Sequence, residues 1–486
     1  GGSGALAFMQ SLFTWRPYHK HLLKEAQSLE EKAHYCMLDC VVTWEGFMRM
    51  RERCQQEQPQ SWEAYLRDAV PLLPIMVSMT ETGINMDAMR FEKKRKTLRQ
   101  TADAQADALI AVYGEGIRPK GKHAKTKVSV AGLKTVLQAR GIKLPTARKD
   151  GEARPTLDRE ARQKLIVKYP ELADLDAYWE TQDRLSDCYK PIMDRDGRCR
   201  PDWSGYLTSW RWRVTHPNIA QWPESEREVF CASPGRVLVQ FDTSAGEYRW
   251  FAAESGDRGL LQKFADYDAS GDSRLHPHVA NTSVLFGVEP ATAAAWKDSG
   301  DPKEKARYTF SKNYIYRLMY SYRGGIDELR ATAAKAGLKF SRKDIEAFDK
   351  VWFATYPVAA EWRERQVRQV LRSRVVMNRE WGYTRRLHGQ DEDKLANIAL
   401  NFVMQSGIAG IVNKTVIETW ETCRLAPLVN MHDGLIYDVP EGQLAAVIEY
   451  IRSVVEAPLP TLQGAVIPVD IKIGERWGKS MRGWKA

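Results

Sequence analysis

The chain has 486 residues, 43% of them hydrophobic and 28% charged. That is ordinary globular composition, but too long for one compact core, so two to four subdomains are expected. Lys and Arg outnumber Asp and Glu by 72 to 62, a net charge of +10, which favours a polyanionic partner such as nucleic acid. Seven scattered cysteines without a CxxC pair argue against a disulfide framework and for reduced thiols in an intracellular protein. No HExxH or zinc-finger spacing occurs among the nine histidines, and no run of eighteen apolar residues suggests a membrane span.

The opening GGSG reads as a linker scar. Residues 5–60 carry apolar residues at three- and four-residue steps, the helical period, and 65–87 continue as a helix, a Gly turn and a short strand. Two long helical stretches follow. Between them, RPKGKHAKTK (118–127) is a basic loop that reads as a solvated loop or as a phosphate clamp; PTARKDGEARP (145–155) reads as a polar linker.

After residue 200 the texture changes. TSWRWRVTHPNIAQWP (208–223) is aromatic, basic and amide-rich; Arg211 and Arg213 fall on one side of an extended segment, and Asn218 and Gln221 are the right types to reach minor-groove acceptors. RVLVQFD (236–242) is a strand ending on Asp242. Ser244 is placed to cap the following helix, with Glu247 in its first turn. In KEKARYTFSKNYIYRLMYSYRGG (303–325), Lys312, Tyr316 and Tyr320 step by four along one helical face, with Arg307 upstream and Ile315, Leu318 and Met319 on the packing side. A cation beside two phenol rings suits a phosphate next to a stacked base. ANIALNFVMQSGIAGIVNKTVIETW (396–420) is an apolar helix carrying Asn401 and Gln405. Two strands then flank His432 and Asp433, and AVIPVDIKIG (465–474) is a last strand. Each feature alone also reads as plain structure: a cap, a turn, a tyrosine-rich core helix.

Their order resembles the family A (bacterial polymerase I-like) DNA polymerases. DTSAGEYR resembles motif A (Asp-Tyr-Ser-Gln-Ile-Glu-Leu-Arg). KNYIYRLMYS resembles motif B (Lys-x3-Phe/Tyr-x3-Tyr-Gly), and MHDG resembles motif C (Val-His-Asp-Glu). RLHPHVA (274–280) is similar to the Asp-Ile-His-Thr block, and the 208–223 segment to the block that ends Asn-Leu-Gln-Asn-Ile-Pro. The resemblance runs over roughly 65–486. YCMLD (Tyr35, Asp39) resembles the Tyr-x3-Asp end of the family's 3′–5′ exonuclease domain, whose other acidic ligands have no counterpart here.

The resemblance implies an α+β, helix-rich right hand with an antiparallel palm sheet. The expected divisions are an exonuclease remnant at 1–60, a lead-in to the palm at 61–88, the thumb at 89–195, palm at 196–258, fingers at 259–394 and palm again at 395–486. It implies a DNA-templated DNA polymerase without exonuclease activity, acting as a monomer on primer–template DNA and deoxynucleoside triphosphates, inside a bacterial or phage-infected cell. Two Mg²⁺ ions, replaceable by Mn²⁺, are expected on Asp242 and Asp433. Lys312, His276 and Arg307 would meet the triphosphate, and Tyr316 the base and sugar. Glu247 would exclude a 2′-hydroxyl. Arg211, Asn218, Gln221, Tyr320, Asn401, Gln405 and His432 would touch DNA. Four positions depart from the family pattern: Tyr308 stands at the motif B arginine, Ser321 at its glycine, Gly434 at the motif C glutamate and Ala245 at the motif A glutamine. They point to a divergent, phage- or plasmid-type member. Tyr316, where many members carry Phe, implies tolerance of dideoxynucleotides. The rival readings are a single-subunit RNA polymerase and a non-catalytic factor that clamps primer–template.

Overall fold

The computed structural model describes residues 13–16, 19, 22 and 28–484, apart from 120–126, 150–151, 190–191 and 206–207. The GGSG opening and most of the 118–127 loop lie outside the described residues.

The element that positions everything else is a five-stranded antiparallel sheet. Its strands are β1 (Arg236–Thr243), β2 (Val429–Asn430), β3 (Gly434–Pro440), β4 (Val469–Gly474) and β5 (Arg482–Gly483), in the spatial order β2-β3-β1-β4-β5. β1 lies in the middle. Its Leu238, Val239 and Phe241 are fully or almost fully buried, as are Leu435, Ile436, Tyr437 and Val439 of β3. Each such side chain contributes about 1.5–3 kcal/mol by leaving water. Strand residues rich in branched and aromatic side chains therefore form the rigid floor.

Helices cover this sheet and extend from it. They include α1 (Leu29–Glu57), α2 (Ala88–Tyr113), α3 (Ala173–Cys188), α4 (Gly246–Ser255), α5 (Pro290–Lys297), α6 (Pro302–Tyr320) and α7 (Glu392–Cys423). α6 starts on Asp301, whose carboxylate accepts from the Lys303 N–H, with Pro302 in the first turn; it buries Phe310, Tyr314, Ile315, Leu318 and Met319. α7 is 32 residues long and, by length and composition, apolar enough to cross a membrane, yet 78% of its apolar window is buried inside the protein. Gly407 of α7 lets the Trp250 indole approach so closely that a Cβ there would sit 2.3 Å from the ring.

The main core gathers the sheet, α4, α6 and α7. A second core, around Leu109, Leu133, Leu137, Leu165, Leu175 and Tyr178, joins α2, α3 and the short helices between them. Two cores agree with the chain length.

Three expectations need correction. The 145–155 segment is a β-hairpin, Thr146–Lys149 paired with Glu152–Pro155, rather than a linker. Its second strand is largely exposed, so backbone pairing shapes it and hydropathy carried no signal. Ser244 does not cap α4: Ala245 holds that place, at φ 49°, because β1 continues to Thr243 and the Ser244 N–H is taken by the Pro468 carbonyl at 2.8 Å. The extended run expected from 208 is confined to Arg213–Thr215, since Trp210 sits at φ 63°. Arg211 and Arg213 therefore do not share one extended segment.

Candidate active site

Asp242 and Asp433, separated by nearly two hundred positions, meet at one end of the sheet. In the register of β1, Asp242 lies opposite Gly434 on one side and Asp470 on the other. The Thr243 N–H donates to the Asp433 carbonyl at 3.1 Å, which ties the two segments together. The turn between β2 and β3 places His432 at φ 76°, and the Asn430 side chain accepts from the His432 N–H at 2.9 Å. Gly434 is required by close approach: a Cβ there would lie 2.7 Å from the Phe241 carbonyl oxygen. This backbone has no room for the glutamate of the family pattern.

The two carboxylates repel each other at the bottom of a cleft. Asp433 is reachable from solvent and Asp242 is half-buried, but protein crowds both, and both are harder to ionise than ordinary aspartates. For Asp242 the causes are burial, then the charges of Asp433 and Asp470, opposed by Lys472 and Lys312. For Asp433 the cause is burial, opposed chiefly by Arg211, with Lys312 and Arg227 adding to it. A pair of crowded carboxylates that neighbouring cations do not neutralise fits a divalent metal ion. Among the described residues no three His, Cys, Asp or Glu side chains form a metal-ligand group. A cation here would rest on the two aspartates and take its other oxygens from water or substrate, the habit of Mg²⁺.

One face of α6 looks onto the pair. The Lys312 Nζ lies 5.8 Å from the Tyr316 ring centroid, and the Tyr316 and Tyr320 rings stack at 6.0 Å and 17°. Burial pushes the Tyr316 phenol up, and Glu247, Asp433 and Asp242 add to it. Glu247 is ion-paired to Arg211, and its charge also bears on the buried Tyr320. Arg211 is aimed there by its neighbours: Trp210 stacks on Tyr383 at 3.9 Å and 5°, and the Trp212 indole N–H donates to the Asn413 side chain at 2.8 Å. With both indoles anchored, the residue between them projects into the site. His432 lies within the fields of Arg211 and Glu247, and burial lowers its pKa.

His276 borders the same region. Its Nδ1 accepts from the His278 N–H at 3.1 Å, and burial, helped by Lys297, Arg249 and Lys312, pushes it down to about 4, so the ring is neutral at pH 7. His278 is 3% exposed. Its ring stacks between His276 at 5.4 Å and Tyr248 at 5.3 Å, and stands 6.1 Å from Tyr316.

The structure thus brings together Asp242, Asp433, Glu247, Arg211, His432, Lys312, Tyr316, Tyr320 and His276. Asn401 and Gln405 are half-buried on α7. Asn218 and Gln221 line a cleft of about 840 Å³ whose far wall is Arg184 and Asp187 of α3. Arg307 does not join the group: its guanidinium lies over the rings of Trp296, at 5.1 Å, and Phe286, at 6.0 Å. Sequence reading missed Arg227, which feels both aspartates while its Nε donates to the Trp222 carbonyl at 2.8 Å. It also missed Asp470 and His278. Asp470 becomes visible only through strand register. A second histidine two places after His276 was a usable signal.

The family profile for DNA polymerase family A matches residues 120–479. DNA polymerase I of Chloroflexus aurantiacus is 24% identical over 92% of this chain and 46% of its own length. The Treponema pallidum enzyme is 24% identical over 84% of this chain and 39% of its own, and the thermostable Thermus aquaticus enzyme 23% over 89% and 50%. The chain spans about half the length of the curated relatives it matches. Among solved structures, the POL domain of Pol1 from M. smegmatis, in complex with DNA primer-template and dNTP, superposes with a TM-score of 0.75 at 18% identity, over 98% of this chain and 79% of that one. The antiparallel sheet with its helical extensions is therefore the right-hand polymerase fold, and with the profile spanning most of its residues the chain belongs to DNA polymerase family A.

Proposed function

We propose that the chain is a DNA-templated DNA polymerase that extends a primer 3′ end with deoxynucleotides by two-metal nucleotidyl transfer at Asp242 and Asp433. The observation that carries this reading is the pair itself: two repelling carboxylates on adjacent strand ends, faced by Lys312, Tyr316 and Arg211. The palm comprises 61–88, 196–258 and 395–486, the thumb 89–195 and the fingers 259–394.

Asp242 and Asp433 hold the cations, Mg²⁺ by preference and Mn²⁺ as a substitute. When bound, these ions activate the primer hydroxyl and neutralise charge on the leaving pyrophosphate. Lys312 and the neutral imidazole of His276 contact the triphosphate, the first as a cation and the second as a hydrogen-bonding group. Tyr316 stacks against the incoming base and sugar. Glu247, fixed by Arg211, occupies the space a 2′-hydroxyl needs. Arg211 and Gln405 reach the minor groove of the nascent pair, Tyr320 the template side and His432 the primer end. Asn401 belongs to the same DNA face of α7, and Asn218 and Gln221 follow the duplex toward α3. Closing of α6 over the nucleotide completes the site and screens the base pair. For exonuclease chemistry these 486 residues supply Asp39, which is bonded to His19 at 2.7 Å, and no 3′–5′ exonuclease activity is expected from them.

Primer extension in Mg²⁺ with wild type, Asp242→Ala and Asp433→Ala, offered deoxy- and ribonucleotides separately, tests this. Extension by wild type with deoxynucleotides alone, lost in both variants, is the expected result. Full activity in either variant ends the metal assignment. Preferential ribonucleotide use points to an RNA polymerase, and duplex binding without incorporation to a non-catalytic clamp.

A further inference from the structure

The polymerase reading leaves the outer end of the triphosphate short of cations. A nucleoside triphosphate carries most of its negative charge at the terminal phosphate, and a single lysine on α6 meets only part of it. The expected helper, Arg307, is spent elsewhere. Its guanidinium lies over the Trp296 and Phe286 rings, where cation–π contact and packing hold it on the far side of α6. Position 308 is a tyrosine, half-buried and uncharged.

Another cation stands beside the same histidine edge. α5 packs against both α6 and the Ser273–Leu275 turn that leads into His276. It ends on Lys297, directly after the Trp296 that Arg307 covers, and Lys297 is exposed. Its charge weighs on the His276 ring more than that of Arg249 or Lys312, which places its ammonium close to that imidazole. The same cations, Lys312 and Lys297, bear on His278 behind it. Lys312, His276 and Lys297 thus form a continuous edge that starts at the carboxylate pair and runs outward.

Resting on the polymerase reading, we infer that Lys297 is the residue that contacts the terminal phosphate of the incoming nucleotide, in place of Arg307. Lys297 binds and orients the nucleotide; it takes no part in bond making. Because the side chain is exposed at a helix end, its replacement leaves packing intact.

The test is competition and steady-state extension with wild type, Lys297→Ala, Lys297→Arg and Arg307→Ala on one primer–template. Lys297→Ala is expected to raise KM for the deoxynucleoside triphosphate three- to tenfold with kcat nearly unchanged. Inhibition by the corresponding deoxynucleoside diphosphate, which lacks the terminal phosphate, should stay as in wild type. Lys297→Arg should restore most of the triphosphate affinity. Arg307→Ala should leave the ratio of triphosphate to diphosphate affinity where it was. An unchanged KM in Lys297→Ala, or equal weakening of di- and triphosphate, overturns the assignment. So does a collapsed ratio in Arg307→Ala alone. A wild type that incorporates no deoxynucleotide overturns this inference and the polymerase reading together; an active wild type indistinguishable from Lys297→Ala overturns this inference only.

Discussion

Two buried charge sites in this molecule are built on opposite terms. In the second core, Arg162 and Asp176 face each other at 3.1 Å, both side chains 9% exposed, and Arg162 also donates to the Leu157 carbonyl at 3.0 Å. That carboxylate is answered from within the protein. At the end of the palm sheet, Asp242 has Asp433 and Asp470 for neighbours, and ionising it is made harder by burial and by both of them. The first arrangement closes on itself and serves the fold; the second is left open to something that arrives from outside. A buried charge alone therefore says little about function. The sign of its neighbours says more.

The sharpest way to break this contrast is to remove each carboxylate and ask what is lost. Asp242→Ala or Asp433→Ala should cut primer extension by about a thousandfold or more, since several kcal/mol of charge stabilisation disappears. Asp176→Ala should instead cost roughly 3–5 kcal/mol of stability in urea unfolding, because Arg162 is stranded. Primer extension by that variant below its unfolding transition should survive; its loss at full foldedness would erase the distinction.

A smaller effect sharpens the same point. A carboxylate whose pKa is raised by folding weakens the folded state as pH climbs from about 4, the ordinary aspartate range, toward the raised value. Metal-free Asp242→Asn should therefore be more stable than wild type near neutral pH, by roughly 1–3 kcal/mol, with the gain fading as pH falls to about 4. Calorimetry in chelator across that range checks it; a destabilised variant at pH 7 would mean that the repulsion is already relieved within the protein. The smallest expected effect concerns the neutral group facing the pair. Tyr316→Phe should lower the use of dideoxynucleotides relative to deoxynucleotides a few-fold in a chain-termination assay, and equal termination would remove any role for its hydroxyl.

Much of the site was legible in the chain. Asp242 at a strand end, Lys312, Tyr316 and Tyr320 at four-residue steps, and His432-Asp433 between apolar strands are local patterns, and local patterns survive into the fold because backbone geometry sets them. What was missed depends on partners far away in sequence. Ser244 lost its capping role to a strand that ran one residue further. The 146–155 hairpin is held by backbone pairs that leave no hydropathic trace. Arg307 had the right charge near the right helix, yet the aromatic side of α6 claimed it.

By itself the sequence determined the order of elements, the two-core division and the residue types able to hold phosphate, base and metal, because short-range periodicity and side-chain chemistry are written locally. Only the tertiary structure decided that Gly434 admits no side chain, that Asp470 faces Asp242, that Trp210 and Trp212 aim Arg211 at Glu247, and that Lys297 rather than Arg307 stands beside His276. Those outcomes follow from strand register and ring packing, which bring together residues tens to hundreds of positions apart and obey no local spacing rule.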